Sequence, residues 1–145
     1  MNIAPILDNA QVNFKDSLSR LFDLLRIPSI STDPAYAKDC DAAATWLVKE
    51  LTSMGFVAKA HATPGRPMVV AHYTPDGASA KTPHALFYGH YDVQPVDPLE
   101  LWHTKPFEPV LKDGRLYGRG TSDDKGQLMT FVEAARAWIE AAGAW

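Results

Sequence analysis

The apolar rhythm of this chain changes at Gly55 and changes back at Gly126, and that pattern sets the broad fold class. Before Gly55 the large apolar residues recur at helical spacing. Phe14, Leu18, Leu21 and Leu25, with Phe22 and Leu24 beside them, predict a helix over 9–27 that stops near Pro28. The polar loop Ser29-Ile30-Ser31-Thr32-Asp33-Pro34 follows and offers N-caps. Ala43, Trp46, Leu47, Glu50 and Leu51 predict a second helix over 35–53, with Gly55 where a C-cap glycine belongs. Short β-rich runs at 56–60, 68–73 and 85–91 come next, separated by Pro/Gly turns. Residues 109–117 then predict a hairpin around Asp113-Gly114. The last helix spans 126–142, with Leu128, Phe131, Val132, Ala135, Trp138 and Ile139 on its buried side. The order α–α–β–β–β–hairpin–α is an α/β arrangement whose chemistry belongs in the loops after strands.

Composition removes several function classes. Hydrophobic residues make up 46 % and charged residues 21 %, as in a soluble globular protein. No apolar run approaches the roughly 20 residues of a bilayer crossing, and the N-terminus lacks the basic start and apolar core of a signal peptide. The formal net charge of −3, with no basic cluster, argues against a nucleic-acid or membrane partner. Cys40 is the single cysteine, so an internal disulfide and a cysteine-based zinc site are excluded and a reducing, cytoplasmic setting is expected. Cys40 itself reads as packing on its helix. The chain of 145 residues ends at Ala144-Trp145, directly after an amphipathic helix, where an α/β pattern returns to a strand. Three helices and four to five strands cannot close a wide, two-sided sheet. The expectation is therefore an N-terminal piece of something larger, with a small complete domain as the alternative on length alone.

Two short stretches carry chemistry. Tyr88-Gly89-His90-Tyr91-Asp92-Val93-Gln94-Pro95 ends the most hydrophobic run. In a strand, residues i and i+2 share a face, so His90 and Asp92 project together. Neutral imidazole ligates zinc-like metals, and a neighbouring carboxylate fixes its tautomer. Equally, His90 alone reads as a hydrogen-bonded histidine at a strand end. The second stretch is Gly118-Arg119-Gly120-Thr121-Ser122-Asp123-Asp124-Lys125-Gly126, two carboxylates in a glycine-flanked loop that opens a helix. An ordinary acidic helix start is one reading, and a metal-ligating carboxylate is the other. A phosphate-binding loop is excluded by the missing Lys-Ser/Thr ending and by the acidic pair. His61, His72, His84 and His103 lack spaced partners and read as surface or structural.

Taken together, and with Trp102, Pro106-Phe107, Pro109, Asp113-Gly114 and Leu116-Tyr117-Gly118-Arg119-Gly120 between them, the two stretches resemble the co-catalytic zinc peptidases and deacylases (peptidase family M twenty). Relatives in that family include carnosinase-like dipeptidases, carboxypeptidase G, aminoacylase, acetylornithine deacetylase and succinyl-diaminopimelate desuccinylase. The match is specific over 85–135, and His-Tyr-Asp-Val-Gln-Pro looks most like the dipeptidase branch. The resemblance implies a mixed-sheet catalytic domain flanked by helices. It implies His90 as ligand to one metal of a pair, Asp92 as the catalytic-site residue orienting His90, Asp123 as the carboxylate bridging both metals, and Asp124 as its neighbour across a cis peptide. The cofactors implied are two divalent ions, zinc first, with manganese or cobalt accepted by the same ligands.

The implied reaction is hydrolysis of the amide bond of a dipeptide or N-acyl amino acid by metal-activated water, in a homodimer. The family's glutamate base, remaining ligands and lid domain lie beyond the last helix, outside these 145 residues. The chain alone is therefore expected to be inactive and to bind metal weakly or not at all. A noncatalytic binding or assembly module built on the same scaffold is the competing reading, and a partner chain that supplies the missing ligands is a third.

Overall fold

The computed structural model describes residues 2–143, so Met1 and the chain-end residues Ala144 and Trp145 lie outside the described residues. Four helices, α1 (Ala4–Val12), α2 (Phe14–Leu25), α3 (Ala37–Ser53) and α4 (Lys125–Ala142), accompany four strands among the described residues. The strands are β1 (Val57–His61), β2 (Met68–His72), β3 (Val110–Lys112) and β4 (Arg115–Tyr117). This is the α/β class expected, and the second and last helices and the hairpin lie within two residues of their predicted bounds.

Two elements differ from expectation. The first predicted helix is two, because Asn13 interrupts it with φ −91° and ψ 7°. Its carbonyl accepts from the N–H groups of Asp16 and Ser17 to begin α2, and its side chain donates to Asn9 Oδ1. Asparagine competes with the helix ladder in this way, and no glycine or proline advertises the break. The predicted strand over 85–91 has no regular secondary structure and is unpaired. Among the described residues no backbone–backbone hydrogen bond reaches 84–91, because β1 pairs with β2 and β3 with β4, leaving no strand alongside.

The β1–β2 ladder is antiparallel, from Val57 opposite His72 to His61 opposite Met68. The β3–β4 hairpin turns through Asp113 (φ 52°) and Gly114 (φ 73°), the paired positive φ values of a type I′ turn. One face of the β1–β2 ribbon and the inner faces of the helices meet in a core of Leu24, Ala43, Leu47, Met54, Met129 and Val132, with Phe56, Val69 and Tyr91 packed against it. Burying a leucine fully contributes about 1.5–3 kcal/mol. Cys40 is fully buried and packs, as expected. Trp46 and Trp138 are only half-buried, and Met129 and Ala137 take the enclosed places on α4.

The helices are also cross-linked by charge. Glu133 on α4 receives a two-pronged hydrogen bond from Arg20 (2.7 and 2.6 Å) and one from Ser17 (2.8 Å), both on α2. Arg136 donates across to Glu50 on α3 at 2.8 Å. Burial alone would raise the Glu133 carboxyl. The bonds from Arg20 and Ser17, with the charges of Arg20 and Arg136, outweigh it and hold the carboxyl below its usual range.

Candidate metal centre

Three pieces of backbone meet at the site: the segment 89–93, the loop 118–124 that opens α4, and the segment 27–31 that leaves α2. The glycine pattern of the loop is dictated by crowding. A Cβ on Gly126 would lie 2.1 Å from the Thr121 carbonyl oxygen, and one on Gly120, at φ 87°, would lie 3.0 Å from Val93 Cγ1. The chain can therefore fold back on itself ahead of α4 only with glycine at 126. Gly126 N–H closes that turn by donating to the Gly120 carbonyl at 3.2 Å.

The turn brings the two sequence stretches together. His90 Nδ1 lies 3.1 Å from Asp92 Oδ1 and 3.2 Å from the Asp92 carbonyl oxygen. On the other side of the ring, His90 Nε2 lies 3.0 Å from Asp123 Oδ1. Asp124, joined to Asp123 by a cis peptide, turns its carboxylate the other way and accepts the His90 backbone N–H at 2.8 Å. A Cβ on residue 89 would sit 3.1 Å from that Asp124 oxygen, which accounts for Gly89. The Asp123 side chain is 79 % exposed while His90 and Asp92 are each 38 % exposed, so the Nε2–Asp123 side faces solvent and the Asp92 side faces protein.

Electrostatics follow from that sandwich. Burial alone would lower the His90 imidazolium. The Asp92 carbonyl and carboxylate, the bond to Asp123 and the charge of Asp124 outweigh it and hold the imidazole above its usual value.

The donor set fits a divalent metal as far as it goes. An imidazole with Nδ1 committed to a carboxylate keeps Nε2 for a metal, and an exposed carboxylate oxygen stands opposite it. It is only half a site. No cluster of three or more His, Cys, Asp or Glu side chains able to hold an ion occurs among the described residues. His61, His72, His84 and His103 are all exposed and stand away from it.

Two further side chains hold the site, and sequence reading assigned neither. Lys125, immediately after the acidic pair, is fully buried. Its ammonium donates to the carbonyls of Leu24 (3.0 Å), in the last turn of α2, and Ile27 (2.6 Å), just beyond it, and burial pushes it down to about 8. The cation thus adds a charged donor at the negative end of the helix, to carbonyls that also accept the N–H groups of Ile27 (3.2 Å) and Ser29 (2.9 Å). Ser31 Oγ donates to Asp92 Oδ2 at 2.5 Å. Arg119 donates to the Pro95 carbonyl at 2.8 Å and stacks 5.0 Å above Trp102. Trp102 in turn donates to the Val96 carbonyl at 2.8 Å. The pair pins the 97–117 region to the segment just after the site, and one open cavity of about 250 Å³ beside it is lined by Pro98, Leu101, Trp102, His103 and Tyr117.

Comparison with known proteins gives the site its context. Residues 86–144 match the model of peptidase family M20/M25/M40. The resemblance read from the sequence holds. A succinyl-diaminopimelate desuccinylase of Nitrosospira multiformis is 46 % identical over 59 residues, which are 41 % of this chain and 16 % of that protein. The dipeptidase Dug1p of Saccharomyces cerevisiae superposes on 99 % of this chain and 32 % of its own, with a TM-score of 0.85 and 25 % identity. An M20 metallo-carboxypeptidase of Sulfolobus solfataricus covers 86 % of this chain and 27 % of its own, with a TM-score of 0.73 and 36 % identity. The chain thus spans about a third or less of the proteins it matches.

Proposed function

We propose that this chain is the N-terminal portion of the catalytic domain of a metal-dependent amide hydrolase, in which His90 and Asp123 are metal ligands and Asp92 orients His90. The observation that carries the reading is the His90 ring held between two carboxylates, Nδ1 toward Asp92 and Nε2 toward the exposed Asp123. When bound, a pair of divalent ions supplies a polarised carbonyl and a water activated at neutral pH, and zinc suits the imidazole and carboxylate donors, with manganese or cobalt as alternatives. The chain's own residues bind and orient. Asp92 holds the proton of His90 at Nδ1, Asp124 fixes the His90 backbone, and Asp123 faces the solvent side, where substrate approaches.

The unpaired segment 85–91 supports the domain reading. Phe87 stacks on Phe131 of α4 with ring centroids 3.9 Å apart, while Leu86 and Tyr88, on the other face, are 97 % and 83 % exposed. A β-rich apolar segment with one side on a helix and the other open to solvent is what a strand of a larger sheet would present. The substrate class is a dipeptide or an N-acyl amino acid. The dipeptidase likeness of the structural neighbour favours the first and the desuccinylase relatives the second. A homodimeric, cytoplasmic parent completes the proposal, the setting being the one that a single buried cysteine fits.

The test assays zinc- or manganese-supplemented hydrolysis of a dipeptide and of an N-succinyl amino acid. The chain alone should show none. Carried in one polypeptide with the remaining part of such a catalytic domain, it should turn over one of the two substrates, and Asp123→Ala should reduce turnover to background with the fold retained. Normal turnover by that variant would overturn the assignment.

A further inference from the structure

We propose that Ser31 is a positioning residue for the metal centre, locking the Asp92 carboxylate so that His90 carries its proton on Nδ1 and offers Nε2 outward. The inference rests on the reading of His90 as a metal ligand. Its own basis is a hydrogen-bonded series across three segments far apart in sequence. Ser31 Oγ donates to Asp92 Oδ2 at 2.5 Å, and the second Asp92 oxygen, Oδ1, faces His90 Nδ1 at 3.1 Å. Asp92 is half-buried and makes no other side-chain hydrogen bond among the described residues, so the Ser31 hydroxyl is what fixes the rotation of its carboxylate.

The hydroxyl is delivered from a backbone that is itself held on every side. Arg66 Nε donates to the Ser31 carbonyl at 3.1 Å and Arg66 Nη2 to the Asp33 carbonyl at 2.9 Å. Ser29 Oγ donates to the Tyr91 carbonyl at 2.7 Å, and Val93 N–H returns a bond to the Ser29 carbonyl at 2.9 Å. Ile30 and Val93 form a parallel bridge. Lys125, next to the acidic pair, grips Ile27 at the start of the same segment. The segment 27–31 therefore ties the His90 side of the centre to the Asp123 side, and Ser31 is its one side chain that reaches an orienting carboxylate. Partners that hold a ligating histidine set its tautomer and ring orientation.

The experiment reads the His90 tautomer from ring nitrogen shifts by NMR in the metal-free 145-residue chain, at a pH where the ring is neutral. It compares wild type, Ser31→Ala and Ser31→Thr, each also in an Asp123→Ala background so that no carboxylate competes at Nε2. Wild type should hold the Nδ1–H form predominantly. Ser31→Ala should shift the Nδ1–H to Nε2–H ratio several-fold toward Nε2–H, and Ser31→Thr, which keeps a hydroxyl, should restore it. If the alanine variant does not fold, the near-isosteric pair Ser31→Thr and Ser31→Val makes the same comparison. An unchanged or larger Nδ1–H fraction in the variant without a hydroxyl overturns the inference. Failure of the underlying metal reading shows separately, as zinc-induced shifts elsewhere in the chain that His90→Ala leaves in place.

Discussion

The helical side of this molecule and its extended side are held by different means. On the helical side, Leu24, Leu25, Ala43, Leu47, Met129 and Val132 are buried, and the charges between helices are paired through Glu133, Arg20, Arg136 and Glu50. On the extended side, Leu86, Tyr88, Leu99, Leu101 and Leu111 stand exposed, and among the described residues the strands pair as two separate ribbons. Isolated two-stranded ribbons have little stability of their own, whereas a packed helical layer does. The candidate metal centre lies on the seam. Ser31, Asp124 and Lys125 hold it from the helical side, while the Asp123 side is open to solvent. One side is closed by its own contacts, and the other leaves apolar side chains open to solvent.

Substitutions sharpen that contrast. The largest effect is expected for Leu24→Ala, which empties a fully buried place and should cost about 2–5 kcal/mol in chemical denaturation. Gly126→Ala comes next. Its Cβ meets a backbone oxygen at 2.1 Å, so the turn ahead of α4 must move, at a cost of about 1–3 kcal/mol and with altered NMR shifts at His90. Lys125→Met should cost a similar ~1–3 kcal/mol, because two hydrogen bonds from a charged donor to the Leu24 and Ile27 carbonyls are lost.

A pH effect of smaller size belongs to Glu133. Its folded carboxyl is held below the unfolded value, so its contribution is fully present above about 4.5 and is lost as pH falls through the depressed folded value. Acid unfolding followed by circular dichroism should therefore show a less steep pH dependence in Glu133→Gln. The smallest effect is expected for Leu86→Ala, within about 0.5 kcal/mol, since the side chain is 97 % exposed. A loss as large as that of Leu24→Ala would break the comparison, for it would mean that the extended side is already covered in solution.

Much of this was legible in the sequence, and the reason is locality. The period of α3 and α4, the Asp113-Gly114 turn and the shared face of His90 and Asp92 each depend on residues close together in the chain. What was missed depends on distance. Lys125 reaches Leu24 across 101 positions, and Ser31 reaches Asp92 across 61, so neither bond leaves a mark in local spacing. The polar loop after α2 reads as capping material, yet its serines tie the segment 91–93 in place. The break at Asn13 escaped for another reason, since the apolar period continues through it. The segment 85–91 has every local property of a strand and lacks only the neighbour that makes one.

The central claim is that His90 and Asp123 are two ligands of a divalent metal held in advance of the rest. The most direct test is a cobalt(II) titration of the 145-residue chain, followed by NMR line broadening at its five histidines. The strongest broadening should fall on His90 and on the Asp123 amide, leave His61, His72, His84 and His103 less affected, and disappear in Asp123→Ala. Broadening centred on another histidine, or undiminished at His90 in that variant, would contradict the account.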